Sequence, residues 1–256
     1  MNLLALEFPS IDRIVTFKPL FGEDTPFEFN KVTLITVLAA VLTFILFAVA
    51  GSRSALVPRG VQNLVEASVE FVREGIVMQT MGSSGLGWMP YLTALFWFIF
   101  FCNITEVIPV LQMPASARMA IPLSLALLSW IIFIVVGIKH QGPIGYFKSA
   151  LFPPGVPKAL YILVTPIEFI STFLVRPFSL AVRLFANMLA GHILLVTFAV
   201  LSAALFVKGP LAVIMPLPAI MLVFLTGFEV LVALLQAYIF TILTAVYIGG
   251  AMHPEH

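Results

Sequence analysis

Two long apolar stretches toward the C-terminal end of this 256-residue chain carry ionisable side chains where only hydrocarbon would be expected. On the first, Glu168, Arg176, Ser179, Arg183 and Asn187 project at 100° per residue into a stripe about 100° wide, which is one polar helix face. His192 projects about opposite Arg183, so it faces another helix. On the second stretch Glu229 and Gln236 stand seven residues apart, two turns along one face, where His192 could meet them. An ionisable group in a membrane-spanning helix costs about 3 kcal/mol or more unless it is paired or hydrated, so each is a functional candidate by default.

The chemistry these residue types suggest is proton transfer by relay. A carboxyl group and an imidazole each accept and release a proton near neutral pH when their surroundings tune them. A glutamine such as Gln236 can hold water between them. Arginine cannot take part, because its guanidinium stays charged; Arg183 is suited instead to be a fixed positive charge that favours the ionised form of an approaching carboxylic acid. Each residue also has a plainer reading. Arg176, beside Pro177, can snorkel toward the headgroups, and Glu229 and His192 can satisfy one another as a buried interhelical pair. For Arg183 the plain alternative is structural pairing, set against a long surround of Leu, Phe, Ala and Met. Glu106, three residues after Asn103, reads as interfacial; Tyr238 and Tyr247 read as packing or interface anchors, and the run from Phe96 to Phe101 as lipid-facing bulk.

The elements that position these groups follow from hydropathy. With 61% hydrophobic and 10% charged residues the chain is too apolar for a soluble domain of its length. Residues 32–50 form a first span, followed by Arg53 and Arg59. Over 58–80, Val61, Leu64, Val65, Val69, Val72 and Ile76 recur at helical spacing while Glu66, Glu70 and Glu74 line another face, which predicts an amphipathic helix on the membrane or against a partner helix. After the glycine-rich link at 82–87, further spans are expected over 91–110 and 119–138. Lys139, His140, Lys148 and Lys158 punctuate a polar connection over 139–165 that includes Pro153, Pro154, Gly155 and Pro157. The stretches 166–206 and 211–249 are each near 60 Å if helical, against a bilayer core of about 30 Å, so the preferred reading is a hairpin of two long, strongly tilted helices turning at Lys208-Gly209-Pro210. The alternative is two short spans within each stretch. The expected fold is therefore an all-α polytopic membrane protein with about five crossing helices, one amphipathic interfacial helix and an N-terminal tail over 1–31. Arg53, Arg59, Arg73, Lys139, Lys148 and Lys158 share one side against Lys31, Arg118 and Lys208 on the other. That asymmetry puts the N-terminus outside and the C-terminus in the cytoplasm, by a margin that Arg13 and Lys18 nearly erase.

The run Ser179-Leu-Ala-Val-Arg183-Leu-Phe-Ala-Asn187-Met-Leu-Ala-Gly191-His192 closely resembles the signature of subunit a of F-type ATP synthases, and Glu229-x6-Gln236 on the last helix is similar to the same family. The resemblance is strong over about the last 90 residues and extends upstream through Asn103-x2-Glu106-x2-Pro109. It implies a stator subunit pressed against a ring of c subunits, each bearing one carboxylate, and held by b-type peripheral-stalk subunits within the rest of the synthase. By the same resemblance Arg183 matches the arginine that separates two aqueous half-channels, Asn187 and Gln236 match polar residues near it, and His192 and Glu229 match the pair of the outer half-channel, with acid and histidine exchanged relative to some members. Glu168, Arg176 and Ser179 are the candidates for the inner half-channel.

Other classes are weaker. A secondary cation/proton antiporter is the runner-up, but no internal repeat relates the two halves of the chain. A purely structural membrane anchor leaves the polar stripe unexplained. A net charge of +1 with no basic run gives nucleic acid no footprint, and no GxxxxGK[ST] or GxGxxG element offers a nucleotide cradle. The single cysteine, Cys102, rules out an internal disulfide and multi-cysteine metal motifs, and no cofactor is expected. The N-terminus has neither a cleavable signal pattern nor a transit peptide, which fits a bacterial plasma membrane.

Overall fold

The computed structural model describes residues 29–52, 59–109, 111–152, 157, 160–206 and 213–252. Most of the N-terminal tail, Arg53, Val110, Pro153, Pro154, Gly155, Lys158 and the Lys208-Gly209-Pro210 turn lie outside them. The described residues are helical, with no strand, and five helices are long and apolar enough to cross a membrane.

Helix α1 (Lys31–Ser52) starts where the Asn30 side chain accepts a hydrogen bond from the Thr33 amide at 3.0 Å, an N-cap. Helix α2 (Val61–Val72) runs on through a π turn at Arg73–Val77 and a last α turn at Met78–Thr80. It ends at Gly82, whose φ of 62° is a left-handed conformation open to glycine. A 3-10 segment, Gly82–Trp88, leads into α3 (Met89–Ile104), and a short 3-10 turn at Ala115–Ala117 precedes α4 (Ala120–Gln141). Gly142, at φ 73°, stops α4, and Pro143 opens α5 (Pro143–Leu151), so the connection between spans holds a helix of its own.

The last two elements carry the candidate residues. Helix α6 (Tyr161–Ile170) passes through a π turn at Ser171–Val175 into α7 (Arg176–Leu205), a continuous run of 45 residues; α8 (Pro216–Met252) has 37. At 1.5 Å per residue they measure about 67 and 55 Å, roughly twice the bilayer core. Each stretch is thus one helix rather than two short spans. Arg176 meets Tyr247 and Gly191 meets Glu229, so α7 and α8 run antiparallel.

Packing decides one open reading of the sequence and corrects another. Of the two alternatives for the amphipathic α2, it lies against other helices, those of its own chain: Val72, Ile76 and Val77 share a core with Ala245, Ile248 and Met252 of α8, the Phe71 ring meets Phe96 and Tyr238, and Trp97 donates to Ser68 at 3.0 Å. Its acids remain exposed, with Arg73 bridging Glu70 and Glu74 at 3.4 and 3.6 Å. The aromatic run on α3 is not simply lipid-facing bulk, because Phe96, Trp97 and Ile99 are buried in a core that α3 shares chiefly with α8, where Ala237 and Phe240 belong to the same cluster. Hydropathy could not tell lipid from core here, since both select the same residue types.

Gly137 seats α5 against α4, and Gln141 fastens the C-terminal end of α8. A Cβ at Gly137 would collide with the Tyr146 ring of α5, and Gln141 donates to the Ala251 carbonyl at 2.8 Å while accepting from Ser149 at 2.6 Å. Gly137→Leu is expected to destabilise the chain by about 1–3 kcal/mol, read as a lower yield of assembled protein and a lower Tm. Gly51→Leu, where an added Cβ meets nothing, is the control and leaves both unchanged.

Candidate functional site

Helix α7 has two chemically different sides. Leu180, Ala181, Leu184, Met188, Gly191 and His192 are buried in the bundle, while Arg183, Ala186, Asn187, Ala190 and Leu194 are exposed. The exposed set recurs at intervals of three and four, so it forms one stripe along the helix. Alanines beside Arg183 and Asn187 leave a shallow surface that a second helix can approach closely. Among the described residues no acid forms an ion pair with Arg183. Among those residues, a permanent cation therefore stands without an acidic partner on the surface of an apolar helix.

On the opposite side of the same helix lies a buried acid and histidine cluster. His192 Nδ1 is 3.6 Å from Glu106 Oε1, which follows the end of α3. Glu229 of α8 lies over Gly191, where a Cβ would overlap its carboxylate; only glycine lets the acid approach this closely. The Glu106 and Glu229 carboxyls are near enough to act on one another electrostatically. Asn103 accepts a hydrogen bond from the Ser116 hydroxyl, and Thr105 donates to the carbonyls of Cys102 and Met113 at 3.0 and 2.9 Å, which holds the backbone before Glu106 against the turn preceding α4. Asn103 Nδ2 and Glu229 Oε2 are buried without a hydrogen-bond partner, and Glu106 Oε1 has only the ion-pair contact to His192, longer than a hydrogen bond. Buried polar atoms left in this state are costly unless water or a mobile proton reaches them.

Sequence reasoning paired His192 with Glu229 and read Glu106 as interfacial. The structure instead gives His192 the carboxylate of Glu106 as its partner and buries that acid to 5% exposure. The available signal was Asn103 and Glu106, three residues apart on one face, but nothing local announces that the chain beyond Ile104 turns back into the bundle. Gln236 is buried on α8 two turns beyond Glu229 and, with the helices antiparallel, falls about level with Arg183.

The remaining candidates lie at the other end of α7. Arg176 sits with its guanidinium carbon 5.6 Å from the Tyr247 ring centroid, a cation-π contact between α7 and α8 rather than a free charge. Burial pushes the Tyr146 phenol above its ordinary range while the nearby Arg176 charge acts in the opposite direction. Ser179 is half-buried one turn further on. Glu168, also half-buried, lies beyond the π turn, and a projection at 100° per residue does not hold across that turn.

These positions separate two capacities along one helix. Nine residues, about 14 Å, divide Arg183 from His192. One location can fix the charge state of an incoming acid, and the other can pass a proton among two carboxyls and an imidazole.

Comparison with known proteins agrees. The family model described as ATP synthase A chain matches residues 32–249. ATP synthase subunit a of Frankia alni is 44% identical over 229 residues, covering 89% of this chain and 79% of that protein. The subunit a of Rhodococcus erythropolis is 45% identical over 233 residues (90% and 85%), and that of Rhodopseudomonas palustris 38% over 250 residues (96% and 97%). With the family's match running from the first residues of α1 almost to the end of α8, this chain belongs to the ATP synthase A chain family.

Proposed function

We propose that this chain is the proton-conducting stator subunit of a rotary F-type ATP synthase in a bacterial plasma membrane, with Arg183 controlling the ionisation of carboxyls carried past it by a ring of c subunits. The observation that carries this reading is the arginine with no acidic partner among the described residues, exposed on an alanine-lined stripe of α7 with a buried acid and histidine cluster at its back. The family match leaves the antiporter reading without support.

A proton from outside enters at Glu106, His192 and Glu229, whose buried oxygens, short of hydrogen-bond partners, suit exchange with water. It passes the level of Gln236 and Asn187 and neutralises a ring carboxylate, which then travels through lipid. On arrival at Arg183 from the other side, the carboxyl is driven to ionise and its proton leaves through the inner half-channel, where Glu168, Arg176 and Ser179 stand. Arg183 itself never carries the proton; its permanent charge stops a neutral carboxyl from slipping directly between the two half-channels. Helices about twice the bilayer thickness lie tilted, which lets α7 and α8 follow the curved flank of a ring. Basic residues at one end of the bundle support a cytoplasmic C-terminus and an outer N-terminus. Peripheral-stalk b subunits hold the chain against rotation, and nucleotide chemistry belongs to other subunits.

Arg183→Ala is expected to leave the synthase assembled while ATP-driven proton pumping in membrane vesicles falls about 100-fold or more; pumping near the wild-type rate would remove the gate from the account. Glu106→Gln, which keeps shape and loses charge, is expected to slow pumping about tenfold or more. A rate within twofold of wild type would return Glu106 to a structural role. Gly191→Ala pushes the Glu229 carboxylate out of place and lowers pumping, and Glu229→Asp in the same chain restores part of it by shortening the acid. A double variant no faster than Gly191→Ala alone would show that the close approach is not what the site requires.

A further inference from the structure

We propose that a groove beside α4 is a specific site for an anionic phospholipid, whose headgroup lies at Lys139 and His140 and whose acyl chain runs down along Val135 and Ile131. The groove encloses about 230 Å³ and opens at Trp88, Lys139 and His140. Ile131, Val135 and Lys139 follow one another at four-residue intervals, so they form a single stripe on α4 that ends in a cation. Ile131 and Val135 are 52% and 44% exposed, although α4 is one of the helices able to cross the membrane. From Ile131 to Lys139 the helix rises about 12 Å, close to the hydrocarbon depth of one leaflet, about 15 Å.

The chemistry at the mouth selects the headgroup. Lys139 and His140 occupy the last turn of α4, and among the described residues neither forms an ion pair. Lysine brings a point charge, histidine donates an N–H in either protonation state, and the Trp88 indole has the amphipathic form of a residue at a membrane boundary. The charge asymmetry of the sequence puts Arg59, Arg73 and Lys148 on the same side of the membrane as Lys139. Two donors with no acid between them favour a net anion over a zwitterion, and basic pockets at helix ends on this side of a membrane hold anionic headgroups.

The test uses the intact synthase in liposomes doped with phosphatidylglycerol or phosphatidylcholine carrying a photoreactive group in the acyl chain, with labelled peptides mapped by mass spectrometry. Labelling of residues 131–136 by the phosphatidylglycerol probe is expected to exceed that by the phosphatidylcholine probe about fivefold. The ratio should fall to near one in the Lys139→Gln, His140→Gln double variant. Ile131→Trp, which fills the groove and keeps both donors, should abolish labelling by both probes; it also serves if the double variant fails to assemble. Equal labelling by both lipids in the unaltered synthase would mean ordinary annular lipid and overturn the proposal. So would the absence of lipid label together with a cross-link from this stripe to another subunit.

Discussion

A guanidinium stays charged at every physiological pH, and hydrocarbon offers it neither water nor a counter-ion. Arg183 meets that constraint on an exposed helix face, with no acid of the described chain paired to it. On the proposed reading, the cost of that cation is offset by a carboxylate that another molecule brings. Such a carboxylate is stabilised most strongly in its ionised form when it is closest. The same reading accounts for the face of α7 that stays open and for the alanines that line it.

The rest of the bundle makes that face available. Large residues fill the opposite side of α7 against α8 and α4, so the helix is held by packing from behind while alanines keep its front shallow. Because His192 is half a turn away from Arg183 in projection, the titratable cluster falls inside the bundle, where Glu106 and Glu229 can reach it. Gly191 sets how closely α8 brings its acid. Arg176 over Tyr247 and the contacts of Gln141 then tie the far ends of α7 and α8 to one another and to α4. Two charges of the same type on one helix thus stand differently: Arg176 has an aromatic partner in Tyr247, and Arg183 has no acidic partner among the described residues.

Much of this was legible in the sequence wherever the physical signal is local. Apolar run length gave the crossing helices, the 100° periodicity separated Arg183 from His192, and the signature around Arg183 identified the family. The parts that escaped depend on distant segments. Glu106 and His192 are 86 positions apart, and no periodicity links them. The Phe-rich run of α3 has one composition whether it meets lipid or α8. The π turns at Arg73–Val77 and Ser171–Val175 carry no distinctive residues, yet they alter which faces line up beyond them, and Glu168 is the candidate most affected. The partner of Arg176 became visible only once α7 and α8 were laid side by side.

The central claim is that the Arg183 stripe is the surface along which the carboxyl-bearing ring passes, and cross-linking in the intact synthase tests it most directly. Cysteine at Asn187, one turn from Arg183, is paired with cysteine one turn from the ring carboxyl; Phe44, 75% exposed on α1, serves as the comparison site. The account predicts a disulfide product between this chain and a ring subunit at Asn187 and none at Phe44, with ATP-driven rotation blocked until the bond is reduced. No product at Asn187, or an equal product at Phe44, would contradict it.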